Sequence, residues 1–469
     1  MQLSSSSPFA GGVLSPQYDR AKLKPGIVHI GFGAFHRAHQ AVYTDTALAA
    51  SFGDWGIVGV SLRSSEPIRD LKMQDHLFSV IARDASGAEP RVVGSVVGGI
   101  SAANDRDGLL VLLADPAIRI VSLTVTEKAY GFDPASGGLD RRHPAIAADL
   151  VAPGAPVGVI GFLVEGLSRR KRAGLSPFTV LCCDNLPTNG RVVERLVLEM
   201  AEAQDPALAS WIAAEGAFPC TMVDRIVPAA TDETRRRAAD LLGVEDKLAL
   251  DTEPFMQWVI EDRFVSGRPE WESAGALFVA DVEPYEKMKL RMLNGPHSMI
   301  AYLGQLKGLE YVKDVMAVPD YAERVRQHMA AAALTLDPVP GIDLDEYREQ
   351  LIERFSNPTI AHRTKQIAMD GSQKLPQRIF AAAVDDLAAG RDAAVFAEAT
   401  ALWIAYVMQN PQIEDPRAAE LCQASAAVDS ADPSGCFLAL PGLFPPRLAA
   451  DRDWRDLVNA ALNLELRAA

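Results

Sequence analysis

An α/β protein, built on a Rossmann-type, mostly parallel sheet and followed by a mainly helical C-terminal part, is the fold class this sequence predicts. Three observations carry it. Short apolar runs alternate with helical stretches over more than half of the chain, the first of those runs ends in glycines, and strand signals fade from about residue 283. Apolar strands alternating with helices call for a parallel sheet covered on both faces.

Taken in order, residues 1–24 are rich in Ser, Gly and Pro and read as a loosely attached arm. The first strand is IVHIGFG (27–33), followed by a helix over 35–50 and a second strand, WGIVGVSL (55–62). RIVSLTVT (119–126) and FTVLCCDN (178–185) are further buried strands, and GRVVERLVLEMAEA (190–203) is a helix. Beyond them, 321–334, 394–409 and 453–468 carry helical patterns. The expected division is therefore an arm (1–24), a dinucleotide-binding domain (25–282) and a helical substrate domain (283–469).

The composition narrows the function. The chain has 469 residues, and 46 Lys+Arg against 61 Asp+Glu give a net charge of −15. An acidic protein is a poor partner for nucleic acid or for an anionic membrane surface. No segment reaches the length of an apolar membrane span, and the N-terminus lacks the basic-then-apolar order of a secretory signal, so a cytoplasmic location is expected. The five cysteines form no C-x-x-C pair, which argues against a disulfide framework and a cysteine-based zinc site. No metal is expected.

GFGAFH (31–36) stands at the end of the first strand and the start of a helix. Gly31 permits a tight turn and Gly33 a close backbone approach to a pyrophosphate, although His36 occupies the place of the usual third glycine. Glu66, near the end of the second strand, is a candidate acceptor for the adenosine ribose diol, which favours NAD over NADP; Arg63 nearby is the competing signal. Arg37 is read as a phosphate contact, with His36 and His39 as packing and His29 as a satisfied core histidine.

The richest chemistry lies in VEPYEKMKLRMLNGPHSMIAYLG (282–304). On an α-helix with Lys289 at 0°, Glu286 falls at about 60°, His297 at about 80° and Asn294 at about 140°. An amine, an imidazole and an amide on one face suit a metal-free alcohol/ketone interconversion, with Lys289 moving the proton, Asn294 donating to the reacting oxygen and His297 orienting the hydroxyl. Tyr285 and Lys289 also match the Y-x-x-x-K spacing of short-chain dehydrogenases, with Ser273 upstream. That pair belongs inside the nucleotide domain of a much shorter chain, so the match is taken as chance.

With IVHIGFGAFHRAHQAVYTD (27–45), SLTVTEKAYG (122–131), CDNLPTNG (183–190), FPCTMVDRIVPAAT (218–231), EPFMQWVIEDRF (253–264), KMKLRMLNGPHS (287–298), RFSNP (354–358) and QIAMDGSQKLPQR (366–378), the sequence resembles the mannitol dehydrogenase family of polyol-specific long-chain dehydrogenases. The resemblance implies Lys289 as acid/base, Asn294 with Asn185 as donors to the reacting oxygen, and His297 and Lys374 as substrate ligands. It also implies no metal, and NAD bound over residues 27–38, a stretch holding Ile27, Gly31, Gly33, Phe35 and Arg37. Mannitol-oxidising relatives tend to carry Arg where this chain has Gln366. Together with Lys128 and Arg291, Gln366 follows the pattern of sugar-acid members, so these three and Lys374 are the expected substrate-binding residues. Pro296, where relatives often have Ser, should kink the helix between Asn294 and His297. Asp184 is expected to orient a loop, and Asp370 to cap or turn the chain so that Lys374 faces the cleft.

The expected activity is interconversion of D-fructuronate and D-mannonate with NAD(H). A polyol dehydrogenase for mannitol, arabinitol or sorbitol is the alternative, and a non-catalytic NAD-binding sensor is the alternative of another class. The oligomeric state is open, and a monomer is compatible with the sequence.

Overall fold

The structure, a computed structural model, describes residues 1–133 and 136–467; Ala468, at the end of the expected last helix, lies outside them. The chain divides into two compact units, Met1–Val282 and Glu283–Ala469.

Five parallel strands organise the first unit: β1 (Pro25–Ile30), β2 (Gly56–Ser61), β3 (Val96–Ser101), β4 (Ile120–Leu123) and β5 (Thr179–Cys182). They lie in the order β3-β2-β1-β4-β5. The period-two alternation of a strand sorts its side chains onto two faces. Val28, Ile30, Val121, Leu123 and Val180 enter one apolar cluster, while Ile27, Ile57, Ile120 and Leu181 enter another. Both faces of the sheet are thus covered, as the unbroken apolar runs predict.

The helix expected over 35–50 is two helices, α1 (Ala34–Ala38) and α2 (Gln40–Ala50), broken at His39, which has φ −122° and ψ −93°. The His39 ring explains the break. It packs against Phe35, Tyr43 and Trp258, and its Nε2 lies 3.0 Å from the carbonyl of Gln257. Three smaller sheets among the described residues were not foreseen: an antiparallel hairpin of Phe78–Asp84 and Gly87–Val93 joined by Leu250–Thr252, a trio of Thr221–Asp224, Gln257–Glu261 and Leu277–Val279, and a pair of two-residue strands, Phe132–Asp133 and Gly138–Leu139.

The first 24 residues are not a loose arm. Leu3 is fully buried in a cluster with Leu77, Ile81, Val92 and Val244. Isolated bridges pair Gln2 with Glu245 and Leu14 with Arg91, and Arg20 donates to the carbonyls of Gly94 and Asp75, both at 2.9 Å.

The second unit is helical. Its central helix, Gly295–Lys307, packs against Thr364–Ala368 and Ala394–Gln409, and the latter carries the terminal helix Arg452–Arg467. Every residue from Gly295 to Gly304 is buried. No described helix is long and apolar enough to cross a membrane.

The burial of Leu3 gives a direct test. Leu3→Ala should lower stability by about 2–5 kcal/mol, the usual cost of emptying a closed leucine site, as read from urea unfolding. A change below about 0.5 kcal/mol, the size expected at an unconstrained surface position, would show the arm to be loose after all.

Candidate active site

In the first unit, the turn after β1 sits where the strand order reverses between β1 and β4, the place where open α/β sheets bind ligands. Gly31 has φ +107°, and a Cβ there would stand 2.1 Å from the carbonyl oxygen of Thr124. Glycine is obligatory at that point. At Gly33 an added Cβ would meet only the Gly31 carbonyl, at 3.6 Å, so the backbone is open to a ligand. Beneath the turn, His29 is the satisfied core histidine expected: its Nδ1 lies 2.8 Å from Ser122 Oγ and its Nε2 2.8 Å from Thr124 Oγ1. Thr124 Oγ1 in turn donates to the Gly31 carbonyl at 2.9 Å. His36 stacks on His29 with ring centroids 3.4 Å apart.

Two expectations for this stretch are corrected. Ile27 is a fully buried member of the core, paired across the sheet with Ile57 and Ile120, and has no side-chain surface for a cofactor. Arg37 is also enclosed. Its guanidinium donates to the carbonyls of Leu248 and Gly33 and lies near the rings of Phe32 and Phe78, and burial pulls its pKa down to about 10. It braces the turn from behind rather than offering a phosphate contact. Phe35 remains half-buried on α1, stacked on His39. Glu66 opens a helix, α3 (Glu66–Met73), five residues beyond the end of β2; it is exposed and 3.6 Å from Arg69.

The loops after β4 and β5 are tied together by Asp184. Its carboxylate accepts from the amides of Val125 (2.9 Å) and Thr126 (3.3 Å) and from the Tyr130 hydroxyl (2.6 Å). Thr126 is held at φ +90°, a rare conformation for a β-branched residue. Asn189, which opens the helix α4 (Asn189–Gln204), donates to the carbonyls of Asp184 (3.0 Å) and Thr221 (2.9 Å). This framework leaves Asn185 exposed at the end of β5 and Lys128 exposed in the loop after β4.

In the second unit, the candidate catalytic segment is not one α-helix. The α5 helix (Glu283–Met288) runs into a π-helical turn, Lys289–Asn294, and then into α6 (Gly295–Lys307). Pro296 has no N–H to give the Met292 carbonyl, and its ring would press on that group. The preceding turn opens instead, and the Gly295 amide bonds back five residues to Leu290. The expected kink is thus a π turn. It also voids the angles drawn for a regular helix, so Lys289, Asn294 and His297 cannot be placed by a 100° step.

Lys289 and Glu286 are half-buried at the start of this turn, whereas Asn294 and His297 are each 7% exposed. Asn294 Nδ2 and His297 Nε2 are buried with no hydrogen-bond partner among the described residues. Buried polar atoms without a partner are candidates for meeting polar ligand atoms, and here two of them lie three residues apart. The His297 ring stacks on Phe355 (4.8 Å) and stands edge-on to His362 (4.7 Å). Burial, followed by the charges of His362, Arg378, Arg354 and Lys374, holds its pKa well below the ordinary value, so the imidazole is neutral.

Arg291 does not face a substrate. It is 5% exposed, donates to the Thr335 carbonyl at 2.8 Å and pairs with Asp385 at 2.6 Å. The π turn carries it into the packing between helices. Lys374, on the short helix Gly371–Leu375, donates to the carbonyls of Met369 (2.6 Å) and Ile367 (3.2 Å). Asp370 turns the chain there through φ +56°, with its side chain making no cap bond. Gln366 is exposed. Tyr285 is buried and donates to the Pro340 carbonyl at 2.7 Å, a structural role that disposes of the Y-x-x-x-K match. Arg378, Arg354 and His362, all acting on His297, were not singled out from the sequence. Arg378 lies one helical turn beyond Lys374 in a stretch already notable, and that spacing was the available signal.

Residues 25–273 match the mannitol dehydrogenase Rossmann domain, and residues 281–450 the mannitol dehydrogenase C-terminal domain. The chain belongs to the mannitol dehydrogenase family. Among its relatives is the D-mannonate oxidoreductase of Escherichia coli (strain K12), 46% identical over 96% of this chain and 95% of that one. A mannitol 2-dehydrogenase of Aspergillus terreus is 40% identical over 97% of this chain and 94% of its own length. In three dimensions the chain is similar to Pseudomonas fluorescens mannitol 2-dehydrogenase in its ternary complex with NAD and D-mannitol. The TM-score is 0.88 at 38% identity, covering 100% of this chain and 97% of that one. This member of the mannitol dehydrogenase family is an NAD-dependent dehydrogenase of secondary alcohols, with a polyol or a sugar acid as substrate. The bare backbone at Gly33, beside a Gly31 that no other residue could replace, fits a bound dinucleotide.

The buried histidines have a consequence for stability. Burial holds His29 down to about 3, His328 and His362 to about 4, and His36 and His297 well below the ordinary value. Once unfolded, each takes a proton near pH 6.5. Below that pH the unfolded chain binds more protons, so stability present above it is lost as pH falls, by up to ~1.4 kcal/mol per pH unit for each imidazole. Urea midpoints should drop clearly between about pH 7.5 and about pH 5.5, within this window. Equal midpoints would mean that the imidazoles are not held neutral.

Proposed function

We propose that this dehydrogenase interconverts D-fructuronate and D-mannonate with NAD(H), acting as a fructuronate reductase. The observation that carries the reading is the company kept by His297. Arg378, Arg354 and Lys374 are cations whose charge bears on it, while His362 is held neutral by burial. A negatively charged substrate is drawn to a site with several cations about it more strongly than a neutral polyol is. The similarity to a D-mannonate oxidoreductase supports the same reading.

The residues divide the work as follows. NAD(H), when bound by the first unit, supplies or accepts the hydride. Lys289 moves the proton: in the reducing direction its ammonium gives a proton to the carbonyl oxygen as hydride reaches carbon, and in the other direction the amine takes it back. The otherwise orphaned Asn294 Nδ2 donates to the same oxygen, where charge develops, and Asn185 is the second amide donor. Neutral His297 offers Nε2 to a substrate hydroxyl without competing for the reacting proton. Lys374 binds the sugar chain from an amine already oriented by two carbonyls. Glu66 accepts from the ribose diol, and Lys128 lends positive charge from the loop after β4. The second reading, a mannitol-type polyol dehydrogenase, is favoured by the fold match to the mannitol 2-dehydrogenase complex.

Initial rates of NADH oxidation separate the two. D-fructuronate should be reduced with a kcat/KM at least about tenfold above that for D-fructose, the least that one well-placed charge contributes. A preference for D-fructose would transfer the assignment to the polyol reading. Lys289→Ala should lower kcat by about 10²-fold or more with little change in NADH affinity by fluorescence titration. Near-normal turnover would remove Lys289 from the proton path.

A further inference from the structure

Beside His297 stands a second imidazole, His362, to which the division of work above gives no part. We propose that His362 is a further substrate-binding residue, which takes a second hydroxyl of the sugar chain while His297 takes the first. The inference rests on the reading of His297 as a substrate ligand and goes beyond it by naming a partner for another hydroxyl. It stands for a uronate and a polyol alike, since both carry a chain of hydroxyls.

The backbone is the first argument. His362 lies in the stretch between the helices Leu344–Ser356 and Thr364–Ala368, and the chain is pinned on both sides of it. The Val312 amide donates to the His362 carbonyl at 3.0 Å and the Thr364 amide to the Glu310 carbonyl at 2.9 Å, flanking an antiparallel bridge between Tyr311 and Arg363. Thr364 Oγ1 accepts from Gln305 Nε2 of α6 at 2.8 Å. Gly304 lets that helix come close, because a Cβ there would stand 2.6 Å from Thr364 Cγ2. His297 and His362 are therefore carried by elements fastened to one another, and the spacing of their rings is set before a ligand arrives.

The rings themselves are the second argument. Their centroids lie 4.7 Å apart with the planes at 81°, and Phe355 stacks on the His297 ring. The two nitrogens His297 Nε2 and His362 Nδ1 are both buried with no hydrogen-bond partner among the described residues. Each forfeits a bond it would make in water, and a ligand that supplies one recovers it. Rings this close put both nitrogens within the span of one sugar chain. The His362 residue as a whole is half-buried, so it is not sealed inside the helical packing.

Chemistry is the third argument. Burial holds His297 well below its ordinary pKa and His362 down to about 4, so both rings are neutral. A neutral imidazole has one donor and one acceptor nitrogen, and a hydroxyl can answer either. Neutral rings also leave the reacting proton to Lys289.

The test uses the full-length enzyme, unmodified and as His362→Phe, His362→Asn and His297→Phe. Initial rates of NADH oxidation are measured with D-fructuronate and with its 3-deoxy, 4-deoxy and 5-deoxy analogues, or with the matching fructose series if the unmodified enzyme prefers D-fructose. His362→Phe keeps a ring against His297 and removes both nitrogens. It should raise KM for the parent ketose about tenfold with kcat little changed, the scale of one hydrogen bond. With the analogue that lacks the hydroxyl in question it should cause no further loss. His362→Asn, whose amide can stand near the place of Nδ1, should recover part of the KM. A loss of equal size with every analogue, or no loss at all, overturns the assignment of His362. Thermal melts check folding, and if the phenylalanine variant fails to fold, His362→Gln takes its place in the same comparison. His297→Phe separates the two failures: if it raises KM and His362→Phe does not, His362 alone is misassigned. If neither raises KM, the reading of His297 as a substrate ligand falls and this inference with it.

Discussion

One missing N–H governs the geometry of the second unit. Pro296 cannot close the α-helical bond to Met292, and the five-residue turn that replaces it decides where each neighbouring side chain goes. Arg291 is carried inward to Asp385, and Asn294 and His297 are buried with nitrogens that no described group satisfies. The same joint needs a glycine at 295, because the carbonyl of Arg378 occupies the space a side chain would take. Two π-helical segments packed on one another are costly in regular hydrogen bonding, and such segments recur at functional sites. Here they bring Lys289, Asn294, His297 and Arg378 onto adjoining stretches of backbone.

The first unit solves a different problem, that of leaving backbone bare without leaving it loose. The open surface at Gly33 is useful to a dinucleotide only if the turn before it holds its shape. Thr124 grips the Gly31 carbonyl, His29 grips Thr124, and Arg37 clamps Gly33 from behind. The histidine stack under the turn is neutral because it is buried, so it adds no charge that would disturb the site. Asp184 does similar work for the neighbouring loops, at the cost of a strained Thr126.

Much of this was legible in the sequence, and the failures share a cause. The parallel strands were readable because Ile27, Val28 and Ile30 form an apolar run that only a two-sided sheet buries, and the glycine turn because its place after that run is specific. The cluster of Lys289, Asn294 and His297 was visible as a spacing. What escaped was anything decided across long stretches of chain or by irregular backbone. Arg37 beside a glycine turn has the look of a phosphate ligand until the carbonyl of Leu248, 211 residues away, takes its guanidinium. Leu3 sits in a polar arm, and its apolar partners lie at 77, 81, 92 and 244. Arg291 was taken as a substrate ligand from the family pattern, and the carboxylate that claims it, Asp385, lies 94 residues away in the sequence.

The cations of this chain show how partner and exposure together decide which of them can serve a charged substrate. Arg291 is already paired with a carboxylate of the protein, and a second anion would have to displace Asp385 from a buried guanidinium. Arg37 is held by neutral carbonyls and keeps its charge, but it is buried away from solvent. Lys374 and Arg378 are held by a carbonyl pair and a hydroxyl, and both remain half-buried. Hydrogen bonds to carbonyls and a hydroxyl orient both side chains at the edge of solvent. Recognition of a small polar ligand draws on such preparation, because an orientation set before binding need not be paid for during it.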